Sequence, residues 1–143
     1  MTEIEQSTLH SSCIDYRFAQ QVEEQALEDQ AHLVAHPGAS YDASVVIQTL
    51  KKHPGYFGKV VNYDHQQCGV FTNIAKNDSD TNHQKHMDKL RDKVLAINPD
   101  IHFSASILPF DEARNKKYQG HHCPATSIIL GDPDILISKI INH

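Results

Sequence analysis

Long apolar runs are missing from this chain of 143 residues: nowhere does it approach the ~20 consecutive apolar positions that a membrane-spanning helix requires. The opening Met1-Thr2-Glu3-Ile4-Glu5-Gln6 also lacks the basic and then apolar segments of a secretion signal. The expectation is a cytoplasmic protein with no membrane contact. Cysteine is scarce, and three residues, an odd number, do not make a disulfide framework, so reduced thiols are left for metal binding or chemistry. The six glycines are dispersed, without a phosphate-cradling loop, and no serine sits in a nucleophile-elbow context, so nucleotide binding and serine-type hydrolysis have no support. Cationic stripes are absent too. The 13 Lys and Arg are scattered among 18 acids for a net charge of -5, which offers a nucleic-acid backbone no footprint.

What is present has a globular balance, with 39% hydrophobic and 22% charged residues. The length suits one domain, taken as residues 1–143, around a single core. Apolar spacing alternates between strand-like and helix-like segments without internal repeats. A strand over Thr8–Ile14 leads to a helix over Arg17–Asp29, in which Phe18, Val22 and Ala26 share one face. A short strand, His32–Ala35, and a turn at Pro37-Gly38 follow. Asp42 is the expected N-cap of a helix with inner residues Ala43, Val46, Ile47 and Leu50, ended by His53-Pro54-Gly55. A third strand, Lys59–Tyr63, enters Asp64-His65-Gln66-Gln67-Cys68-Gly69, where Cys68 is placed to open a helix. A later helix buries Met87, Leu90, Val94 and Ile97 and stops at Asn98-Pro99, before a strand over Ile101–Leu108. Two last apolar segments, Thr126–Leu130 and Ile135–Ile141, read as a strand and a short helix. The fold class is α/β, with a mostly parallel central sheet flanked by helices, and ligands are expected beyond the carboxyl ends of its strands.

Two loops with chemical potential sit at such ends. Cys13-Ile14-Asp15-Tyr16-Arg17 spaces a thiol, a carboxylate and a guanidinium two residues apart, which in extended backbone turns all three to one side. His65-Gln66-Gln67-Cys68-Gly69 puts an imidazole and a second thiol on a tight turn, with Gly69 expected to supply an unusual backbone angle. Together Cys13, His65 and Cys68 are the three-ligand set of a zinc site that keeps one position open. Two thiolates cancel the charge of Zn2+ and weaken its pull on a water proton, so further groups must assist. Asp15 is the candidate to orient the hydroxide, with Arg17 holding it ionised by a bidentate pair; Asp15 can alternatively swing in and close the fourth position.

At these residues the chain resembles the β-class carbonic anhydrases, whose signature is Cys-x-Asp-x-Arg followed some fifty residues later by His-x-x-Cys; here 51 residues lie between Cys13 and His65. The resemblance runs from about Leu9 to Leu108. It implies a parallel sheet flanked by helices, a homodimer or higher homo-oligomer, zinc on Cys13, His65 and Cys68, and a zinc hydroxide that hydrates carbon dioxide, a small neutral substrate, to bicarbonate. Asp15 and Arg17 are then the catalytic pair. The chain is most similar to short, divergent members in which a His-x-x-Cys-Gly turn precedes a His-containing helix, here Asn82-His83-Gln84-Lys85-His86. Where many members carry Arg-Asn-Ala-Gly after the second strand, this chain has Ala35-His36-Pro37-Gly38-Ala39, so part of the pocket wall differs. Two other roles stay open: a structural zinc in a binding or regulatory module, and hydrolysis of another small electrophile such as a carbon disulfide-like molecule.

The remaining candidates read more plainly. His83 and His86 are expected on a solvated helix face, and His121-His122-Cys123 lacks partners at zinc-like spacing. His10 is expected to face away from Cys13, and His36 to line the pocket. Tyr16, Tyr41, Tyr63 and Phe71 serve as apolar pocket walls or as core.

Overall fold

The computed structural model describes residues 6–111. The segments at Thr126–Leu130 and Ile135–Ile141 and the His121-His122-Cys123 cluster lie outside the described residues. In chain order the elements are β1 (Ser7–Ser12), α1 (Tyr16–Glu28), β2 (His32–Ala35), a single 3-10 turn (Ala39–Tyr41), α2 (Ser44–Lys52), β3 (Phe57–His65), α3 (Gly69–Asn73), α4 (Asp80–Ile97) and β4 (His102–Leu108).

Four parallel strands form one sheet in the order β2-β1-β3-β4. From β1 the chain first steps to β2 and then crosses back over β1 to β3. The direction of winding reverses between β1 and β3, and the crevice at such a reversal is where open parallel sheets bind ligands. The loops after β1 and β3, which carry Cys13 and Cys68, both open into it.

Period-two alternation sends successive side chains to opposite faces. One face buries Leu9, Val34 and Val60 under Val45, Val46 and Leu50 of α2 and Leu90 and Val94 of α4. The other buries Leu33 beneath Val22 and Ala26 of α1, with Tyr63 and Leu108 packed alongside. Phe57 joins the first face because the β1–β3 register slips by one residue at Gly58. The inner residues expected for α2 are shared differently, since Val45 and Thr49 are also buried while Ala43 and Ile47 are only partly so.

Local chemistry accounts for the helix ends. Asp15 caps α1, accepting the Arg17 N–H, and Ser79 caps α4, accepting the Asn82 N–H. The α1 C-terminus closes with Gln30 in the left-handed region (φ 53°), its N–H donating to the Leu27 carbonyl and that of Ala31 to the Ala26 carbonyl. The cap expected at Asp42 falls one residue later, at Ala43, with α2 starting at Ser44, yet Asp42 Oδ1 still accepts the Ser44 N–H at 3.0 Å.

Leu90 lies at the centre of the first core face and is 1% exposed. Leu90→Ala is expected to destabilise the fold by about 2–5 kcal/mol through cavity formation. Urea unfolding should report this as a lower midpoint at unchanged slope.

Candidate metal centre

The first ligand loop leaves the sheet after Ser12, and Cys13 lies buried just beyond it. Asp15 is next, in extended backbone, and Arg17 already belongs to the first turn of α1. The alignment of Cys13, Asp15 and Arg17 along one extended face is therefore corrected: the helix begins between the last two. They converge nonetheless, because the cap geometry returns Arg17 onto Asp15. The Asp15 carboxylate accepts from Arg17 N at 2.9 Å, Nε at 3.1 and 3.2 Å, and Nη2 at 2.7 Å. Burial would raise the Asp15 pKa, but these hydrogen bonds and the nearby His65 outweigh it and hold the carboxyl below its ordinary value.

The second loop leaves β3 at His65. The positive backbone angle in this turn falls on Gln67 (φ 59°), not on Gly69, which opens α3 behind Cys68. A left-handed glutamine needs local support, and two contacts supply it. The Gln67 N–H donates to Asp78 Oδ2 at 2.8 Å, and the Gln67 carbonyl accepts from Arg17 Nη2 at 2.6 Å. One guanidinium thus joins both ligand loops.

The side chains of Cys13, His65 and Cys68 are all buried, with their Sγ, ring-nitrogen and Sγ atoms within 4.8 Å of one another. A tetrahedral zinc, with sulfur at ~2.3 Å and nitrogen at ~2.0 Å, spaces such atoms by roughly 3.5–3.8 Å, so the donors would close by at most about 1.3 Å to share it. The imidazole is prepared for a cation. His65 Nδ1 lies 2.7 Å from the Gln66 carbonyl oxygen, which calls for the proton on Nδ1 and leaves a lone pair on Nε2. Nε2 is buried without a hydrogen bond and stands 3.6 Å from Asp15 Oδ2. Burial alone would lower the His65 pKa; the Cys68 sulfur, the Gln66 carbonyl and Asp15 together raise it. A metal taken up here competes with a proton. The buried Nε2 lone pair and the soft donor set of two sulfurs and an imidazole both fit zinc.

The walls include residues that spacing alone did not reveal. Phe18, expected in the core, stacks on His65 with ring centroids 4.2 Å apart, and Phe110 packs edge-on to Phe18 with the Arg17 guanidinium 5.5 Å from its ring centre. Gly38 donates its N–H to Cys13 Sγ at 3.4 Å. Its φ of 81° and the Val70 methyl, 2.8 Å from where a Cβ would sit, leave no room for a side chain. The Pro37-Gly38 turn was legible, but its aim at a sulfur was not. Ala39, Val70 and Phe71 bury the two cysteines, with Tyr41 packed against them. Tyr63 and His10 belong elsewhere: they pack edge-on to each other, and His10 pairs at 3.3 Å with Asp29, at the end of α1 remote from Asp15.

A further correction concerns α4. His83 is not on a solvated face; it is fully buried, with Nδ1 2.6 Å from Asp64 Oδ2 and Nε2 2.7 Å from Asp78 Oδ1. Burial would lower its pKa, but the two carboxylates outweigh that and raise it. His86, half-buried, packs on Tyr41 and Phe71. Compared with known protein families, characterised proteins and solved structures, the chain matches none.

His36, expected to line the pocket, lies buried under the turn into Gly38, its Nε2 3.3 Å from Ser11 Oγ, and burial pushes its pKa down to about 4. Between about pH 6.5 and about 4 the unfolded chain binds a proton here that the folded chain refuses, so His36 makes stability fall as pH drops through that window. The loss is on the order of 3 kcal/mol. His36→Gln should therefore lose less stability than the native protein between pH 6.5 and 4 in urea titrations.

Proposed function

We propose that the chain is a zinc-dependent lyase that hydrates carbon dioxide, acting at the centre formed by Cys13, His65 and Cys68. The observation that carries this reading is the convergence of these three buried donors beside an Asp15 that Arg17 holds ionised. A zinc ion held there would supply the positive charge that acidifies water at neutral pH. Asp15 would accept a hydrogen bond from the attacking water and orient its oxygen toward the substrate. Arg17 keeps that carboxylate charged and fixed in direction. Phe18, Phe71 and Tyr41 give the surroundings the low polarity that suits a small neutral molecule.

The reading requires stoichiometric zinc in the purified protein and a stopped-flow rate of carbon dioxide hydration above buffer that rises with pH. No rate anywhere from mildly acidic to alkaline pH would defeat it. Cys68→Ser is expected to lose both metal and rate. Arg17→Lys should keep the metal but lower the rate by about 10–100-fold, because an ammonium cannot reproduce the planar fork that grips Asp15 and Gln67 together.

The 3.6 Å gap between Asp15 Oδ2 and His65 Nε2 favours one competing reading, in which Asp15 takes the fourth position and zinc is structural. In that case chelation lowers the melting temperature strongly while carbon dioxide hydration is absent throughout.

A further inference from the structure

We propose that His83 is a positioning residue for the metal-ligating turn: clamped between Asp64 and Asp78, it fixes the carboxylate that holds the Gln67 N–H between His65 and Cys68. The inference rests on the metal reading above and deepens it.

Both ring nitrogens of His83 face carboxylate oxygens, at 2.6 and 2.7 Å, so both donate and the ring is an imidazolium. The two carboxylates are differently placed. Asp64 is saturated on the sheet side, where it also accepts from Ser40 N at 3.1 Å, Ser40 Oγ at 2.6 Å and Asn62 Nδ2 at 2.8 Å. It is a fixed anchor on the strand that delivers His65. Asp78 belongs to the loop before α4 and has one oxygen on His83 and the other on the Gln67 N–H. Without the cation between them, buried Asp64 and the partly exposed Asp78 would repel each other, and Asp78, the less enclosed of the pair, is the one that holds the turn.

A second contact leads to the same place. The His83 ring stacks on Phe71 of α3 with centroids 3.7 Å apart, and Phe71 packs in the cluster that buries Cys13 and Cys68. His83 therefore touches the strand before the turn, the loop that braces it and the helix after it, through Asp64, Asp78 and Phe71. Partners that hold a metal's ligands typically change its affinity by about 10–100-fold, and His83 acts through such a hold on the turn that joins two of them.

The test uses the full chain with cobalt(II) as probe, following its visible absorption and its affinity by chelator competition in the native protein, His83→Gln, Asp78→Ala and the double variant. His83→Gln and Asp78→Ala should each weaken cobalt binding by about 10–100-fold and alter the visible bands. The double variant should be little worse than the weaker single one, since both act through one contact. Native-like affinity and bands in both single variants, even with a lowered melting temperature, would overturn the inference. So would losses that simply multiply in the double variant. If His83→Gln does not fold, Asp78→Ala decides, because that carboxylate is partly exposed, and native-like cobalt binding by it overturns the inference. A native protein that takes up no cobalt sinks the metal reading itself, and this inference with it.

Discussion

The grip of a single guanidinium on two loops is the constraint on which the centre depends. Arg17 lies buried at the start of α1, binding the Asp15 carboxylate through Nε and Nη2 and the Gln67 carbonyl through Nη2. Asp15 follows β1, and Gln67 follows β3. These strands are neighbours in the sheet but far apart in the chain, so Arg17 converts adjacency of strands into adjacency of donor atoms. A buried arginine left half-paired is costly, and this one keeps its Gln67 contacts only when both loops are home.

Around that fork the charges are arranged in an orderly way. On the α1 side of the sheet, positive Arg17 faces negative Asp15. On the α4 side, His83 lies between Asp64 and Asp78. The two assemblies meet at Gln67, whose carbonyl is held by one and whose N–H is held by the other. A peptide in the left-handed region, tied at both ends to charged side chains, has little freedom to relax. The rigidity of the donor set thus comes from polar groups, while the cores on the two faces of the sheet supply the bulk of the burial.

Much of this was legible in the residues. Hydrophobic spacing located the four strands and the three longer helices, because their periods differ and their ends carry Asp, Ser, Pro or Gly signals. The convergence of Cys13, His65 and Cys68 was legible because thiols and an imidazole at turn spacing after strands are rare. The role of Asp15 as helix cap was hidden, since a cap and a catalytic carboxylate use the same residue type. His83 was misread for a related reason. On α4 it lies four residues before Met87, on the buried stripe, but a histidine there counts as buried only when its partners are known, and Asp64 and Asp78 lie 19 and 5 residues away. Positive φ at Gln67 rather than Gly69 was likewise invisible, since it is imposed by tertiary hydrogen bonds.

The reversal of winding between β1 and β3 also leaves the donors unequal in chain distance. His65 and Cys68 are neighbours on one turn, whereas Cys13 reaches them only through the in-register pairing of β1 with β3. The turn alone offers two donors, a weak chelate; the third arrives with the finished sheet. A cation bound by all three would be a cross-link spanning some fifty residues, and it would favour the completed fold over any partly formed one. Any ion taken up at this crevice would thereby report whether the parallel sheet has closed.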